Sequence, residues 1–263
     1  MKMQENRQYG FLNELSDNGP IRQIEGQIPT GGSIGILCLD GIRLPVLPGN
    51  VMNGYTYDFP VQYLFIKGLD NHTLFTGKDE LYDKILETSL ELKKYGVRAI
   101  TGACGFFGNF HKRLAADMDI PVALSSLVQL PWIASMLKPD EKIGVMTANA
   151  ASFDRQLMQN CNVPDDVIDR VVYRGIGDIP ECATIIDNSG EFNNAEVKKA
   201  MTDTAVSLVE DHPDIGAILL ECTEMPPYAH LIQAATQRPV YDFITLLNWV
   251  NSGLCRKPFS GWM

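Results

Sequence analysis

Two cysteines occupy equivalent positions in two similar stretches of the sequence. The first stretch reads VRAITGACGFFG and leads from Cys104 to a Pro-Val pair at Pro121; the second reads IGAILLECTEMPP and leads from Cys222 to a Pro-Val pair at Pro239. In both, the proline comes 17 residues after the cysteine. A single cysteine at a strand end is usually a small buried residue. Two at repeated positions indicate chemistry, with one thiol as general base and the other as general acid on opposite sides of one carbon.

The predicted surroundings of these cysteines favour a reactive thiol. Each follows an apolar run typical of a parallel strand, so each should lie at the carboxyl end of a sheet, where open α/β sheets bind ligands. The N-terminus of a following helix favours thiolate over thiol. After Cys222 we expect such a helix start, with Thr223 as N-cap, Glu224 in the first turn and Pro226 near the first position. Coincidence within a duplicated core is the alternative.

Strands and helices alternate along the chain, which is typical of parallel strands joined by crossover helices. The clearest helices are Lys78–Lys94 and Asn194–Glu210, each with an apolar stripe. Eight strands are predicted, of which Val171–Ile176 is the weakest: Ser33–Leu39, Val61–Ile66, Val97–Thr101, Val122–Ser125, Lys142–Thr147, Val171–Ile176, Ile215–Leu220 and Val240–Phe243.

The first strands of the two halves also repeat, as GSIGILCLD and EKIGVMTAN. We therefore predict an internal duplication. The expected fold is α/β, with two similar Rossmann-like parallel-sheet units related by pseudo-two-fold symmetry and the site in the cleft between them.

Composition excludes several classes of partner. The formal charge is −10 and the sequence has no cluster of Lys or Arg, so neither nucleic acid nor a membrane surface is an expected partner. Residues 1–30 have no apolar core of a signal peptide, and no run nears 18 apolar residues, so we expect a cytoplasmic protein. The six cysteines have no metal-ligand spacing, and the four outside the repeat are interpreted as structural: Cys38, Cys161, Cys182 and Cys255.

The repeated cysteine motifs, above all CTEMP at Cys222–Pro226, resemble those of the aspartate/glutamate racemase superfamily. The similarity covers residues 30–250. Within that superfamily, the sequence is more similar to the algal-type dimethylsulfoniopropionate (DMSP) lyases. The motifs that carry this are ITGACGF at Ile100–Phe106, SSLVQLP at Ser125–Pro131, VMTAN at Val145–Asn149, AILLECTEMPPY and AATQRPVYDFIT.

The resemblance implies carbon-acid chemistry by two facing cysteines, Cys104 and Cys222, with neither metal nor pyridoxal phosphate. It implies a first lobe of residues 30–125 plus 243–263, a second lobe of residues 126–242 and an N-terminal extension of residues 1–29. A homo-oligomer is possible, because oligomers are common among such enzymes.

Two positions depart from the amino-acid racemases and favour a different substrate. Cys104 is followed by Gly105 and Phe106 instead of Asn and Thr, and Glu221 replaces a small residue before the second cysteine. A sulfonium cannot donate hydrogen bonds and is best held by aromatic faces and carboxylates. The candidate substrate-binding residues are Asp40, Tyr55, Tyr57, Gly105, Phe106, Thr147, Asn149, Glu221 and Thr223, and Asp58 and Glu224 are further sources of charge.

The connection Gly41–Pro60 is long for a compact domain, and such loops are often functional. We expect it to cover the cleft and to bring Tyr55 or Tyr57 to the cation. A simple surface excursion is the alternative.

Three functions remain open from the sequence. The first is β-elimination of DMSP, a small-molecule carboxylate, to dimethyl sulfide and acrylate. The second is an aspartate/glutamate-type racemase that uses the same two cysteines, one on each face of a carbon. The third is a two-lobed ligand-binding protein without catalysis.

Overall fold

The computed structural model describes residue 28 and residues 30–263, so the predicted N-terminal extension lies outside the described residues apart from Ile28. The strands are β1 (Ile34–Leu39), β2 (Val61–Ile66), β3 (Ala99–Gly102), β4 (Val122–Ala123), β5 (Lys142–Thr147), β6 (Val171–Gly175), β7 (Ile215–Leu220) and β8 (Val240–Tyr241). The α-helices are α1 (Asn71–Phe75), α2 (Tyr82–Lys94), α3 (His111–Asp117), α4 (Leu130–Met136), α5 (Arg155–Asn160), α6 (Asp165–Ile168), α7 (Pro180–Ile186), α8 (Asn194–Asp211), α9 (Ala229–Thr236) and α10 (Phe243–Leu254).

The strands form two four-stranded parallel sheets with the same internal order. The first sheet runs β2-β1-β3-β4 and the second runs β6-β5-β7-β8. Strands β3 and β7, which precede the two cysteines, therefore occupy the same place in their sheets. The predicted α/β fold with two similar units is confirmed, and the matching strand order accords with the repeat in the sequence.

Most predicted strands differ from the observed ones by only a few residues, and β2, β5 and β7 match at both ends. Prediction extended the last strand too far, to Phe243. Asp242 ends it, because its carboxylate accepts from the Thr245 backbone N–H and the Thr245 hydroxyl accepts from the Asp242 N–H. This capping box begins α10 at Phe243.

Both faces of the first sheet are covered, which explains why β1 is apolar at nearly every position. Leu37 and Leu39 face a core that extends to Val145 and Leu219 of the second sheet. On the other face, Ile36 packs in a cluster with side chains of α10. The C-terminal helix thus lies on the first sheet although it follows the second in sequence. The exact boundaries of the two lobes stay a prediction.

No helix in the part of the chain that the structure describes combines the length and the hydropathy needed to cross a membrane.

Candidate active site

The two cysteines line one pocket. Cys104 follows the end of β3 and Cys222 follows the end of β7, each with one residue between. The pocket has a volume of about 50 Å³. Its lining, called here the cysteine pocket, comprises Leu39, Ile42, Leu44, Met52, Asn71, Phe75, Ala103, Cys104, Ala148, Ile176, Ile185, Ile186, Asn188, Cys222, Thr223 and Glu224. The predicted convergence of two strand ends at one cavity is therefore present in the structure.

The chain after each cysteine is held in a 3-10 helix before an α-helix begins. Residues Gly105–Phe110 form the first such helix, and Pro226–Tyr228 form the second. The expectation that Thr223 caps a helix is wrong, because Met225 is the N-cap residue. The Thr223 hydroxyl instead donates to the carbonyl oxygen of Ala103, at 3.1 Å. This bond joins the two cysteine segments directly.

Burial acts against the thiolate form of both cysteines. Burial, and next the carboxylate of Glu221, raise the pKa of Cys104 well above its ordinary value. Burial raises the pKa of Cys222 in the same way, and the carboxylates of Glu224 and Glu221 add to it. One backbone N–H acts in the opposite direction at each thiol, from Phe106 at Cys104 and from Glu224 at Cys222. Desolvation is the largest effect at both thiols, and it opposes the stabilisation of the thiolate that the helix-start signals led us to expect.

Glu221 is fully buried behind the two cysteines. Its Oε2 accepts from the Thr147 hydroxyl at 2.9 Å and from the Ala148 N–H at 3.3 Å. Its Oε1 has no hydrogen-bond partner among the described residues. Burial raises the pKa of this carboxyl to about 7.

The Glu221 carboxyl lies so close to the backbone of residue 105 that only glycine fits there. A Cβ atom at Gly105 would lie 1.8 Å from Oε1 of Glu221 and 2.5 Å from its carbonyl oxygen. The glycine after the first cysteine therefore makes room for the glutamate before the second. Sequence reasoning singled out both residues without finding that they touch.

Glu224 is the carboxylate that lines the pocket itself. Its Oε2 accepts a hydrogen bond from the side-chain amide of Asn50. Burial raises the pKa of Glu224 to about 7. A partly buried carboxyl beside two thiols can hold either a proton or a cation.

The connection Gly41–Pro60 lies over the pocket and contacts both halves of the chain. Ile42, Leu44 and Met52 line the cavity. Gly49 has a φ of +100°, and a Cβ there would lie 3.0 Å from Pro227 in the second cysteine segment. At the other end of the connection, the side chain of Asn188 accepts from the Arg43 N–H at 3.1 Å.

The two tyrosines expected to reach the pocket from this connection do not line it. Tyr55 is 94% exposed. The Tyr57 hydroxyl donates to the carbonyl of Val51 at 2.8 Å, and its ring packs against Phe59. From this part of the connection, Met52 lines the pocket instead, and Asn50 contacts the pocket residue Glu224.

Of three further predicted binding residues, one lines the pocket, one packs behind a lining residue and one is used in a turn. Thr223 lines the pocket. Phe106 is fully buried and packs edge-on against Phe75, which does line the pocket. The Asn149 side chain is used in a turn, where it accepts from the Ala151 N–H at 3.0 Å.

Asp40 lies in a groove that adjoins the cysteine pocket. Its carboxylate accepts from the backbone N–H groups of Gly41 and Gly68. The groove has a volume of about 410 Å³ and shares Asn71 and Asn188 with the pocket. Asp58 is exposed and is not among the lining residues of either space.

Several lining residues were not found from the sequence. Met52 and Asn188 come from irregular segments, and their spacing from either cysteine carries no signal. The same holds for Asn50, which does not line the pocket but donates to Glu224. Phe75, at the end of a short helix, is equally undistinguished in sequence. Of the residues named from the sequence as sources of charge, Glu224, within the CTEMP run, is the one that lines the pocket.

The arrangement of two parallel-sheet units around one cleft defines a racemase-like α/β fold. Allantoin racemase from Klebsiella pneumoniae matches with a TM-score of 0.55 and 15% identity, over 88% of this chain and 96% of that chain. Glutamate racemase isoform RacE1 from Bacillus anthracis matches with a TM-score of 0.52 and 18% identity, over 86% and 85%. Arylmalonate decarboxylase also matches at 0.52, with 13% identity, over 84% and 92%. These similarities establish the fold.

The chain belongs to the family of dimethylsulfoniopropionate lyases. It is 33% identical to the dimethylsulfoniopropionate lyase of Durusdinium sp. clade D over 236 residues, which are 87% of this chain and 77% of that protein. It is 34% identical to dimethylsulfoniopropionate lyase 6 of Emiliania huxleyi, strain CCMP1516, over 87% of this chain. The chain spans 61% of the length of that second relative. No protein-family model matches the sequence.

Proposed function

We propose that this protein is a lyase that cleaves DMSP into dimethyl sulfide and acrylate, by removing the proton α to the carboxylate. The observation that carries the proposal is the pair of cysteines at equivalent strand ends, lining one pocket with a carboxylate, in a chain of the DMSP lyase family. The pocket offers a base for the proton and a negative charge for the sulfonium.

In this proposal, a carboxylate and apolar side chains bind the sulfonium end of the substrate, and backbone N–H groups bind its carboxylate end. The sulfonium lies near Glu224, with Phe75 and Met52 as apolar contacts, since a cation is attracted to carboxylates and to aromatic faces. The backbone N–H groups that directly follow each cysteine hold the carboxylate. Donors aimed at developing negative charge contribute about 10²–10³ each in rate.

The chemical step is an elimination. One thiolate, of Cys104 or Cys222, takes the α proton, and the C–H electron pair forms the C=C bond of acrylate. The β C–S bond breaks with both electrons going to sulfur, so dimethyl sulfide leaves neutral. Elimination needs only one base, and the second cysteine orients the substrate. The proposed steps use protein groups alone.

Glu221 and Thr147 support the cysteines from behind in this account and do not touch the substrate. The carboxyl of Glu221 lies against Gly105, and Thr147 holds that carboxyl by its hydroxyl. A cytoplasmic location and a homo-oligomeric state stay predictions.

The test is proton NMR of the purified protein with DMSP in D2O. Vinyl signals of acrylate, growing in proportion to enzyme concentration, are expected. Their absence at high enzyme concentration would overturn the proposal.

Racemisation is the second candidate, and the observation that favours it is that both thiols line the same cavity. A racemase needs a thiol on each face of one carbon, whereas a lyase does not. The same NMR experiment with aspartate or glutamate distinguishes them, because a racemase exchanges the α proton with deuterium and releases no vinyl product. A ligand-binding protein without catalysis would give neither signal.

A further inference from the structure

The cysteine pocket contains an excess of acidic groups with no basic group to balance them. Two thiols and the carboxyl of Glu224 line it, and Glu221 lies directly behind. Among the described residues, those that line the pocket include no Lys, Arg or His. In enzymes that use a cysteine base, a neighbouring cation commonly stabilises the thiolate. Here the protein supplies carboxylates in that place.

The carboxylates around the thiols all raise the pKa values of the acidic groups beside them. The carboxylates of Glu221 and Glu224 both raise the pKa of Cys222, and Glu221 does so for Cys104. Glu221 also raises the pKa of the buried Cys161, and Glu224 that of Tyr228.

The space outside the pocket is acidic as well. The adjoining groove is lined by three carboxylates and one imidazole, from Asp40, Asp70, Asp187 and His72. Both the adjoining groove and the pocket therefore favour a positively charged ligand.

One buried hydrogen-bond acceptor beside the pocket lacks a donor in the part of the chain that the structure describes. Oε1 of Glu221 is buried and has no hydrogen-bond partner among the described residues. A buried carboxylate oxygen without a partner costs free energy, so the folded site favours any change that compensates this charge.

We propose that the positive charge of a bound onium group converts one of the two thiols into the thiolate base, so that the site becomes reactive only when a cationic carboxylate occupies it. This inference rests on the proposed function for the identity of the substrate, although its test needs no turnover. On binding, the S–H bond breaks, the electron pair stays on sulfur and the proton leaves to bulk water. The ligand supplies the cation that the protein lacks.

This arrangement gives selectivity without a dedicated cation-binding side chain beyond Glu224. A carboxylate of the same shape that lacks the onium charge leaves both thiols protonated and is not deprotonated at its α carbon. The empty site is also protected, since a protonated thiol is a poor nucleophile toward electrophiles in the cell.

The experiment uses two unreactive carboxylates that differ in the charge of their terminal group: 3-(trimethylammonio)propionate, which has the cation, and its carbon analogue 4,4-dimethylpentanoate, which has an uncharged tert-butyl group in that place. With the whole protein at pH 7, thiolate is followed by absorbance at 240 nm and by the rate of iodoacetamide alkylation, with alkylated cysteines located by mass spectrometry. The Cys255→Ser variant serves as background, because this half-buried thiol lies outside the pocket. Saturating ammonium ligand should increase thiolate absorbance, and reaction at Cys104 or Cys222 should be about tenfold faster than with the carbon analogue.

Single-residue variants identify the thiol that produces the absorbance change. Cys104→Ala or Cys222→Ala should abolish the absorbance change, and whichever does so identifies the responsive thiol. Glu224→Gln should reduce the difference in affinity between the two ligands, with Glu224→Asp as the conservative comparison. Proton release on binding, measured calorimetrically in buffers of different ionisation enthalpy, should disappear together with the absorbance change.

Equal responses to the two ligands would overturn the inference, as would saturation by the ammonium ligand with no gain in thiolate. Failure of the ammonium ligand to bind at concentrations where DMSP saturates would overturn it too. Each of these outcomes is compatible with acrylate formation from DMSP, so failure here is distinct from failure of the proposed function.

Discussion

The Thr223 hydroxyl, one residue after the second cysteine, donates a hydrogen bond to the carbonyl of Ala103, one residue before the first. The two residues are 120 positions apart in sequence. Both are buried, and both line the cysteine pocket. One bond therefore fixes the distance between the two segments that present the thiols.

Removing this bond should loosen the pair of thiols. Thr223→Val keeps the shape of the side chain but leaves the Ala103 carbonyl without its donor, which costs about 1–3 kcal/mol of stability. Because small displacements of reacting groups are costly, kcat for DMSP should fall by up to about 100-fold. Thr223→Ser, which keeps the hydroxyl, should stay near wild type in both kcat and thermal unfolding. Equal activity of the Val and Ser variants would show that the bond has no role in positioning.

Replacing Gly105 by alanine should disturb the site. The new Cβ would meet the carboxyl and the carbonyl of Glu221 well inside contact distance. We expect a loss of about 1–3 kcal/mol in stability, measured by denaturant unfolding, and a large fall in activity. Gly253→Ala is the matched control, since it lies in α10 with nothing within 4 Å of the added atom. That variant should gain up to about 1 kcal/mol. Indistinguishable behaviour of the two variants would contradict the contact.

Glu221 should make the folded protein less stable as the pH rises. Its pKa is raised from 4.5 to about 7 in the folded state, so the folded chain binds the proton more tightly than the unfolded chain. The free energy of unfolding therefore falls between about pH 4.5 and pH 7, by as much as about 3 kcal/mol, and is constant above that range for this group.

Glu221→Gln should remove that part of the pH dependence. Urea unfolding at closely spaced pH values should give a difference curve, variant minus wild type, that rises from pH 4.5 to pH 7. Glu224 has a pKa raised in the same direction, so the double variant with Glu224→Gln should rise further. A flat difference curve for both variants would refute the burial of these carboxyls.

Asn50 should hold the connection Gly41–Pro60 over the pocket. Asn50→Ala removes the amide that donates to Glu224, and hydrogen bonds to charged groups contribute about 1.5–3 kcal/mol. We expect KM for DMSP to rise by about tenfold or more, with a smaller change in kcat. Gly54→Ala, in the same connection with open space around it, should leave KM unchanged. A wild-type KM for Asn50→Ala would show that this contact of the connection has no part in substrate binding.

The sequence was informative where local rules act. Strands buried on both faces are continuous apolar runs, so β5 and β7 could be located at both ends, and the repeat placed both cysteines at equivalent strand ends. The contact of Cys104 and Cys222 with one cavity follows from that repeat.

Sequence reasoning was less successful where tertiary packing determines which way a side chain points. The Tyr57 hydroxyl donates to the Val51 carbonyl and the Asn50 amide donates to Glu224, and no spacing in the sequence encodes either contact. The environment of Cys222 was predicted only in part for a related reason: the helix-start signals were visible in the sequence, but the burial that raises the pKa of this thiol was not.

The central claim, that these two thiols form one catalytic site, is tested most directly by the initial rate of acrylate formation from DMSP in Cys104→Ala and Cys222→Ala. Cys255→Ala, which removes a thiol outside the pocket, is the control. At least one of the first two variants should lose about 10²–10⁴ in rate while its thermal unfolding stays near wild type, and the control should keep full activity. Wild-type rates in both cysteine variants would contradict the account.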